Sequence, residues 1–218
     1  MKLVGLNITK SYGANKILED VSLQINAGGI FGLLGRNGCG KSTLLKILFG
    51  SLKADTGSFY LNQETYEPYH NFRQQKVAYL AQDGMYPRQL KVKDLIPMAC
   101  PEGAVQDRIF YTPGIHELTK KWVSSLSEGQ RTYLGVVLSC YMPHSVLLLD
   151  EPFSMTDPKT IEQIKILLEE TAKHKAVLIT DHYYHDVMEL CSEIKVLQQG
   201  KLYETSTEED LKRLGYIR

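Results

Sequence analysis

Gly35-Arg36-Asn37-Gly38-Cys39-Gly40-Lys41-Ser42-Thr43 is a complete G-x-x-x-x-G-K-[ST] string, set between the apolar run Ile30–Leu34 and the helix-like residues 44–49. The glycines let the chain curl so that successive backbone N–H groups converge on one cavity. The helix that follows adds its unpaired N-terminal donors and its positive dipole end. A polyphosphate fits such a cavity. Lys41 is placed to reach the β- and γ-phosphates as a mobile point charge, and the Ser42 hydroxyl to hold a Mg²⁺ that bridges the same oxygens. Gly35, Asn37, Gly38, Cys39, Gly40 and Thr43 complete the cradle. A solvated glycine-rich turn would match the same letters, but the strand before the loop and the helix after it argue for the phosphate site.

Working outward, residues 146–149 and 176–179 are, like Ile30–Leu34, short and continuously apolar. Strands of a sheet covered on both faces read this way. Each run ends in polar residues: the phosphate loop, Asp150-Glu151, and Thr180-Asp181-His182. In open α/β sheets the carboxyl ends of parallel strands converge on one crevice, so the three clusters are expected to meet there. Residues 158–174 carry apolar positions at 161, 164, 167 and 168, with Asp157 as N-cap and Pro158 at the first helical position. This is the crossover helix between the last two strands. Residues 3–8 and 17–25 are β-like and flank the turn Tyr12-Gly13-Ala14-Asn15, which predicts an antiparallel flap. Residues 198–201 read as a turn between two more strands, and Ser206-Thr207-Glu208-Glu209 as a capping box opening a short last helix. Residues 87–114 are too interrupted by Pro and Gly for one long element.

With 218 residues the chain can form one large domain or a domain with a smaller lobe. Its 25 basic and 25 acidic residues cancel, which leaves no global field to draw it to nucleic acid or to an anionic membrane. No apolar stretch approaches the roughly 18 to 20 residues needed to cross a bilayer. Residues 1–10 lack the apolar block of a secretory signal, so a cytosolic protein is expected. Cys39, Cys100, Cys140 and Cys191 are scattered without C-x-x-C spacing and read as free thiols.

Phosphate loops serve many NTPases, and the remaining motifs narrow the choice. Ser124-Ser125-Leu126-Ser127-Glu128-Gly129-Gln130-Arg131, then Leu147-Leu148-Leu149-Asp150-Glu151-Pro152, then Asp157 and His182, resemble in order and spacing the ATP-binding cassette (ABC) family. Gln82, after residues 77–81, stands where that family has its Q-loop. The resemblance runs from Tyr12 to about Tyr203. It implies an α/β P-loop NTPase with a mostly parallel core sheet, an N-terminal antiparallel β subdomain and a small helical lobe. The whole of 1–218 would be a single ABC ATPase domain, with about 83–135 as the helical and signature lobe inserted in the core.

The resemblance also implies roles. Asp150 organises Mg²⁺, and Glu151 polarises the attacking water as general base. His182 contacts the γ-phosphate, and Gln82 contacts Mg²⁺ or the water. Tyr12 stacks on adenine or is a packing residue. ATP is the nucleotide, an inference from the family and not from Tyr12. Two cassettes pack head to tail, so that Ser127, Gly129 and Gln130 of one cover the γ-phosphate held by Lys41 of the other. Asp157 crosses that interface or simply caps its helix. An integral membrane transporter subunit is the other expected partner, docked near the Q-loop, where Met85-Tyr86-Pro87 and Leu90 supply apolar residues that would otherwise be core of the lobe.

Two departures from the family pattern bear on pairing. Glu128 stands where glycine is usual, and Ser154-Met155-Thr156-Asp157 replaces the usual small and branched apolar residues. A carboxylate facing a γ-phosphate repels it, although in a helix's first turn it favours the dipole. Cys39 is either a small residue that fits the loop or a thiol whose pKa the positive loop lowers. The function that follows is ATP binding and hydrolysis as the cytosolic subunit of a transporter, peripheral on the membrane through its partner. A soluble ABC ATPase of translation or DNA repair is the alternative, disfavoured by the single cassette, the neutral charge and the lack of a heptad insertion. A non-hydrolysing regulator would fit better without Glu151 or His182.

Overall fold

The computed structural model describes residues 1–82 and 86–217. Two long antiparallel strands open the chain, β1 (Lys2–Tyr12) and β2 (Asn15–Asn26). Their pairing shifts register between Gly5 and Ile8, beside Asn7, whose Nδ2 donates to Asp20 Oδ1 at 2.7 Å. The shift changes the phase of the alternation, so that Leu3 and Ile8 both point inward although their numbers differ in parity. Next come β3 (Ile30–Leu34), α1 (Lys41–Phe49), β4 (Thr56–Leu61), β5 (Glu64–Thr65), α2 (Asn71–Gln74) and β6 (Val77–Leu80). A helical stretch follows, with α3 (Val92–Ala99), α4 (Gly103–Phe110), α5 (Ile115–Leu118) and α6 (Glu128–Tyr141). The chain ends with β7 (Val146–Asp150), α7 (Pro158–Ala172), β8 (Ala176–Thr180), α8 (Tyr184–Leu190), β9 (Glu193–Gln198), β10 (Lys201–Thr205) and α9 (Glu208–Arg213).

Two sheets result. One is antiparallel, of order β2-β1-β4-β5; the other has the order β10-β9-β3-β8-β7-β6 and is parallel except for β10 at its edge. The continuous apolar runs have a direct explanation in the two cores. Phe31, Leu33, Leu148 and Leu178 face α1 and the antiparallel sheet, together with Leu44 and Leu48. Their neighbours Leu34, Leu147, Leu149, Val177 and Ile179 face the opposite layer, with Val137 of α6 and Ile164 and Leu168 of α7. Both faces are covered, so polar residues enter β7 and β8 only at their carboxyl ends, Asp150 and Thr180. Each fully buried Leu or Ile contributes about 1.5–3 kcal/mol by leaving water.

The structure adds to the sequence reading and corrects it in places. β4 and β5 complete the antiparallel sheet, and neither is marked by an alternating pattern. The last helix is boxed one residue later than expected: Thr207 Oγ1 accepts from Asp210 N, and Asp210 Oδ2 accepts from Thr207 N, both at 3.2 Å. The short Asp210 carboxylate also reaches the N–H of Ser206, which draws the cap toward it. Tyr86 and Leu90 pack against the core instead of forming an open apolar surface, and burial pushes the Tyr86 hydroxyl up to about 12. Met85, and the expected start of the lobe at residue 83, lie outside the described residues.

Candidate nucleotide site

Gly40 makes the turn into α1 with φ 111°, a left-handed conformation that favours glycine, and no side chain caps the helix there. The first turn of α1 also contains no acidic residue. Its N-terminal donors and dipole are thus left without a protein anion. A cleft of 310 Å³ opens over this helix end, lined by Asn37, Gly38, Gly40, Lys41, Ser42 and Thr43, and from other elements by Ile17, Gln82, Glu151 and His182. Lys41 is only 5% exposed, and its Nζ donates to the carbonyl of Gly35 at 2.7 Å, folded back across its own loop. Cys39 differs from the expectation of a lowered thiol pKa. Burial pushes it up, and the Lys41 charge and backbone donors oppose burial without overcoming it.

The carboxylates come from the end of β7. Asp150 is pinned by two hydroxyls, Thr180 Oγ1 at 2.7 Å and Tyr79 OH at 3.0 Å, supplied by the two strands that flank it. Glu151 follows with φ 55°, which turns its side chain away from the line of the strand. Its Oε1 lies 2.5 Å from His182 Nε2, and its Oε2 accepts from Gln82 Nε2 at 2.8 Å and Ser154 Oγ at 3.2 Å. Gln82 and Glu151 also line a second cavity of 170 Å³, shared with Asp150, Arg88, Glu128 and Arg131. The Gln82 and Glu151 pair is therefore the wall between the phosphate-loop cleft and this inner cavity.

His182 is held by its own neighbours. Asp181, fully buried, accepts from the backbone N–H of His182, Tyr183 and Phe153, and burial raises its carboxyl against the pull of those donors. Lys165 joins Asp186 and Glu189 and so ties α8, which leads away from His182, to α7. Ser42 and Gln82 in the cleft, and Asp150 in the adjoining cavity, are the hard oxygen donors that could hold a divalent cation, and no group of three or more His, Cys, Asp or Glu able to hold a metal occurs among the described residues. That donor set suits Mg²⁺, which keeps waters and substrate phosphates in its shell and does not require a cage of side chains.

Not every expected residue joins the cleft. Tyr12 stands outside its lining, half exposed, with Lys10 Nζ 5.6 Å from its ring centroid. Ser127, Gly129 and Gln130 are also absent from it. Ser127 and Gln130 instead form a reciprocal capping box on α6, each accepting the other's backbone N–H at 3.2 Å. Gly129 lies against the segment after Glu151: a Cβ there would sit 2.5 Å from Met155 O. Asp157 caps α7 through Thr160 N at 3.1 Å. A larger cleft of 670 Å³ lies between β4 and residues 67–70 and contains no member of the phosphate loop. Sequence reasoning did not assign roles to Tyr79, Ser154, Thr180, Asp181 or Ile17. Polar Thr180 and Asp181 at the end of an apolar strand were the available signal.

A family model described as ABC transporter matches residues 18–154, more than half of the chain. The chain belongs to the ABC transporter family. Among the relatives of this ABC cassette, the lipopolysaccharide export system ATP-binding protein LptB of Haemophilus influenzae is 31% identical, over 96% of this chain and 92% of its own. A probable sulfate/thiosulfate import ATP-binding protein, CysA of Chlorella vulgaris, is 30% identical, over 97% of this chain and 93% of its own. Among solved structures, an ATP-binding cassette of an ABC transporter in its ADP conformation superposes with a TM-score of 0.80 at 25% identity, covering 98% of this chain and 94% of that one. The ABC cassette described here is accordingly an ATPase, the nucleotide-binding subunit that powers a separate membrane component. The likeness extends to exporters and importers alike, as expected for the part of the machine that both share.

Proposed function

We propose that residues 1–218 act as one cassette, with about 83–135 as an inserted helical and signature lobe, and that Glu151 is the general base of ATP hydrolysis. One observation carries this reading. The Glu151 carboxylate, on the wall of the phosphate-loop cleft, is met there by Gln82 and His182 from two other strand ends, Gln82 donating to it at 2.8 Å. A carboxylate so held can take a proton from water as the water attacks the γ-phosphate. Gln82 and His182 would then turn from Glu151 toward the water and the phosphate. Lys41 would exchange the Gly35 carbonyl for the β- and γ-phosphates, a charged partner for a neutral one. Ser42, Gln82 and Asp150 would hold Mg²⁺, which when bound neutralises charge on the phosphate oxygens. The two hydroxyls on Asp150 fix its orientation for that task.

Tyr12, exposed on the β1–β2 turn, is free to stack on a base, and Ser127, Gly129 and Gln130 face a nucleotide held by a second cassette. No helix among the described residues is long and apolar enough to cross a membrane. This fits attachment to the cytosolic face through the membrane partner. The test is the steady-state Mg-ATPase rate of the purified protein, alone and with its membrane partner, against Glu151→Gln. The variant is expected to keep ATP binding and to lose about 10²- to 10³-fold in kcat. Wild-type turnover no faster than the variant's would sink the assignment.

A further inference from the structure

After α9 the chain turns back and reaches the phosphate loop from behind. Arg36, the second residue of the loop motif, donates from Nη2 to the carbonyl of Gly215 at 3.0 Å, across 179 residues of sequence. Tyr216 is half-buried and faces the same space behind the loop as Arg36 and Cys39. Its hydroxyl, pushed up by burial and by the charge of Asp181, is drawn the other way by the Gly35 backbone. Its backbone is anchored in turn, with Tyr216 N donating to the carbonyl of the fully buried Leu211 at 2.9 Å. Under this contact lies a cavity of 230 Å³, walled by Arg36 and Cys39 on the loop side and by Leu214, Gly215 and Tyr216 on the other. Residues 196–199 form the rest of the wall, and the Arg36 side chain is the direct link by which a shift of residues 214–217 reaches the loop.

We infer that residues 214–217 are a positioning element of the nucleotide site, held against the back of the phosphate loop by Arg36 and Tyr216. The inference rests on the ATPase assignment. The loop must present several N–H groups at once to one polyphosphate, so a small displacement weakens every contact together. Neither Arg36 nor Tyr216 need contact ATP for this to operate.

The experiment uses the full chain and the variants Arg36→Ala, Arg36→Lys, Tyr216→Ala, Tyr216→Phe and the double alanine variant. It measures mant-ATP binding, kcat and KM for Mg-ATP, and the melting temperature. Arg36→Ala and Tyr216→Ala are each expected to raise the mant-ATP Kd and KM by about three- to tenfold, with kcat held within about twofold and melting close to wild type. Arg36→Lys and Tyr216→Phe should each recover part of the loss. The double variant should bind no worse than the weaker single, because both changes open one clasp. Unchanged Kd in both single variants would overturn the inference. So would losses that multiply in the double variant, the signature of Arg36 contacting phosphate by itself, or losses that follow the melting temperature. Wild-type protein that fails to bind mant-ATP would instead overturn the ATPase assignment, and the clasp with it.

Discussion

The N-termini of α1 and α6 are built from similar materials to opposite effect. At α1 the cap is Gly40, with no side chain to offer and no carboxylate in the first turn, so the helix end is incomplete until an anion arrives. At α6 the cap is Ser127, closed reciprocally with Gln130, and Glu128 adds a negative charge to the first turn. In the function proposed above, the first end holds nucleotide within one chain. The second already has its Gln130 N–H engaged by Ser127, and a partner's phosphate that takes that donor competes with an existing box. An ATP site made from both ends thus has one ready half and one that must be opened, which suits a cassette that pairs only when nucleotide is present.

The largest effect expected on this contrast comes from Lys41→Ala. Lys41 is 5% exposed and serves the ready half, so its loss should weaken ATP binding by the isolated chain by about 10- to 100-fold, read by mant-ATP titration. Next is Ser127→Ala. Removing the cap should cost about 1 kcal/mol, about 2–4 °C in melting temperature, and should impair ATP-driven pairing by sedimentation while leaving mant-ATP affinity in the single chain as it was. If Ser127→Ala lowered the single chain's ATP affinity as much as Lys41→Ala does, the division of labour between the two helix ends would be wrong.

The contrast was only half legible in the sequence. The three apolar runs gave the parallel core, because a strand covered on both faces has no polar phase to disguise it. The phosphate loop and Asp157 as cap were also readable, since each depends on neighbours a few residues away. What escaped depends on pairing between distant strands. Thr180 meets Asp150 because β7 and β8 align those two residues, and Tyr79 reaches Asp150 from β6 on the other side. Thr180 was legible only as a member of the strand-end cluster Thr180-Asp181-His182, without its partner, and Tyr79 belongs to no short motif. β4 was hidden because Thr56, Gly57 and Ser58 are all exposed, which leaves no alternation to read.

Glu128 sharpens the comparison through opposite signs. In the single chain Glu128→Gln removes a favourable charge from the first turn of α6, a loss of about 0.3–1 kcal/mol at low salt. In the pair it removes a carboxylate expected near the partner's phosphates, and ATP-driven dimerisation should strengthen by about two- to fivefold, less so as salt rises. Urea melts and sedimentation on one preparation read both. Glu128 also lines the inner cavity with Glu151 and Arg131, and a side chain that stays there on pairing would leave dimerisation unchanged.

The smallest effect concerns Cys39, and it separates two consequences of one location. A cationic loop lowers a thiol's pKa and burial raises it, and here burial is the larger influence, with Lys41 opposing it. The thiolate fraction at neutral pH is then below that of an exposed cysteine, so iodoacetamide should label Cys39 about two- to tenfold more slowly than a free peptide thiol and accelerate as pH rises. Nucleotide adds phosphate charge, which partly cancels the influence of Lys41, and it also covers the loop. Both changes act in the same direction, so Mg-ATP should slow labelling further. Labelling faster than the free thiol, measured by peptide mass spectrometry across pH 7 to 9, would mean that the charge of the loop prevails over burial. Gly40 and its uncapped helix end would then act on the loop's own side chains as strongly as on a ligand.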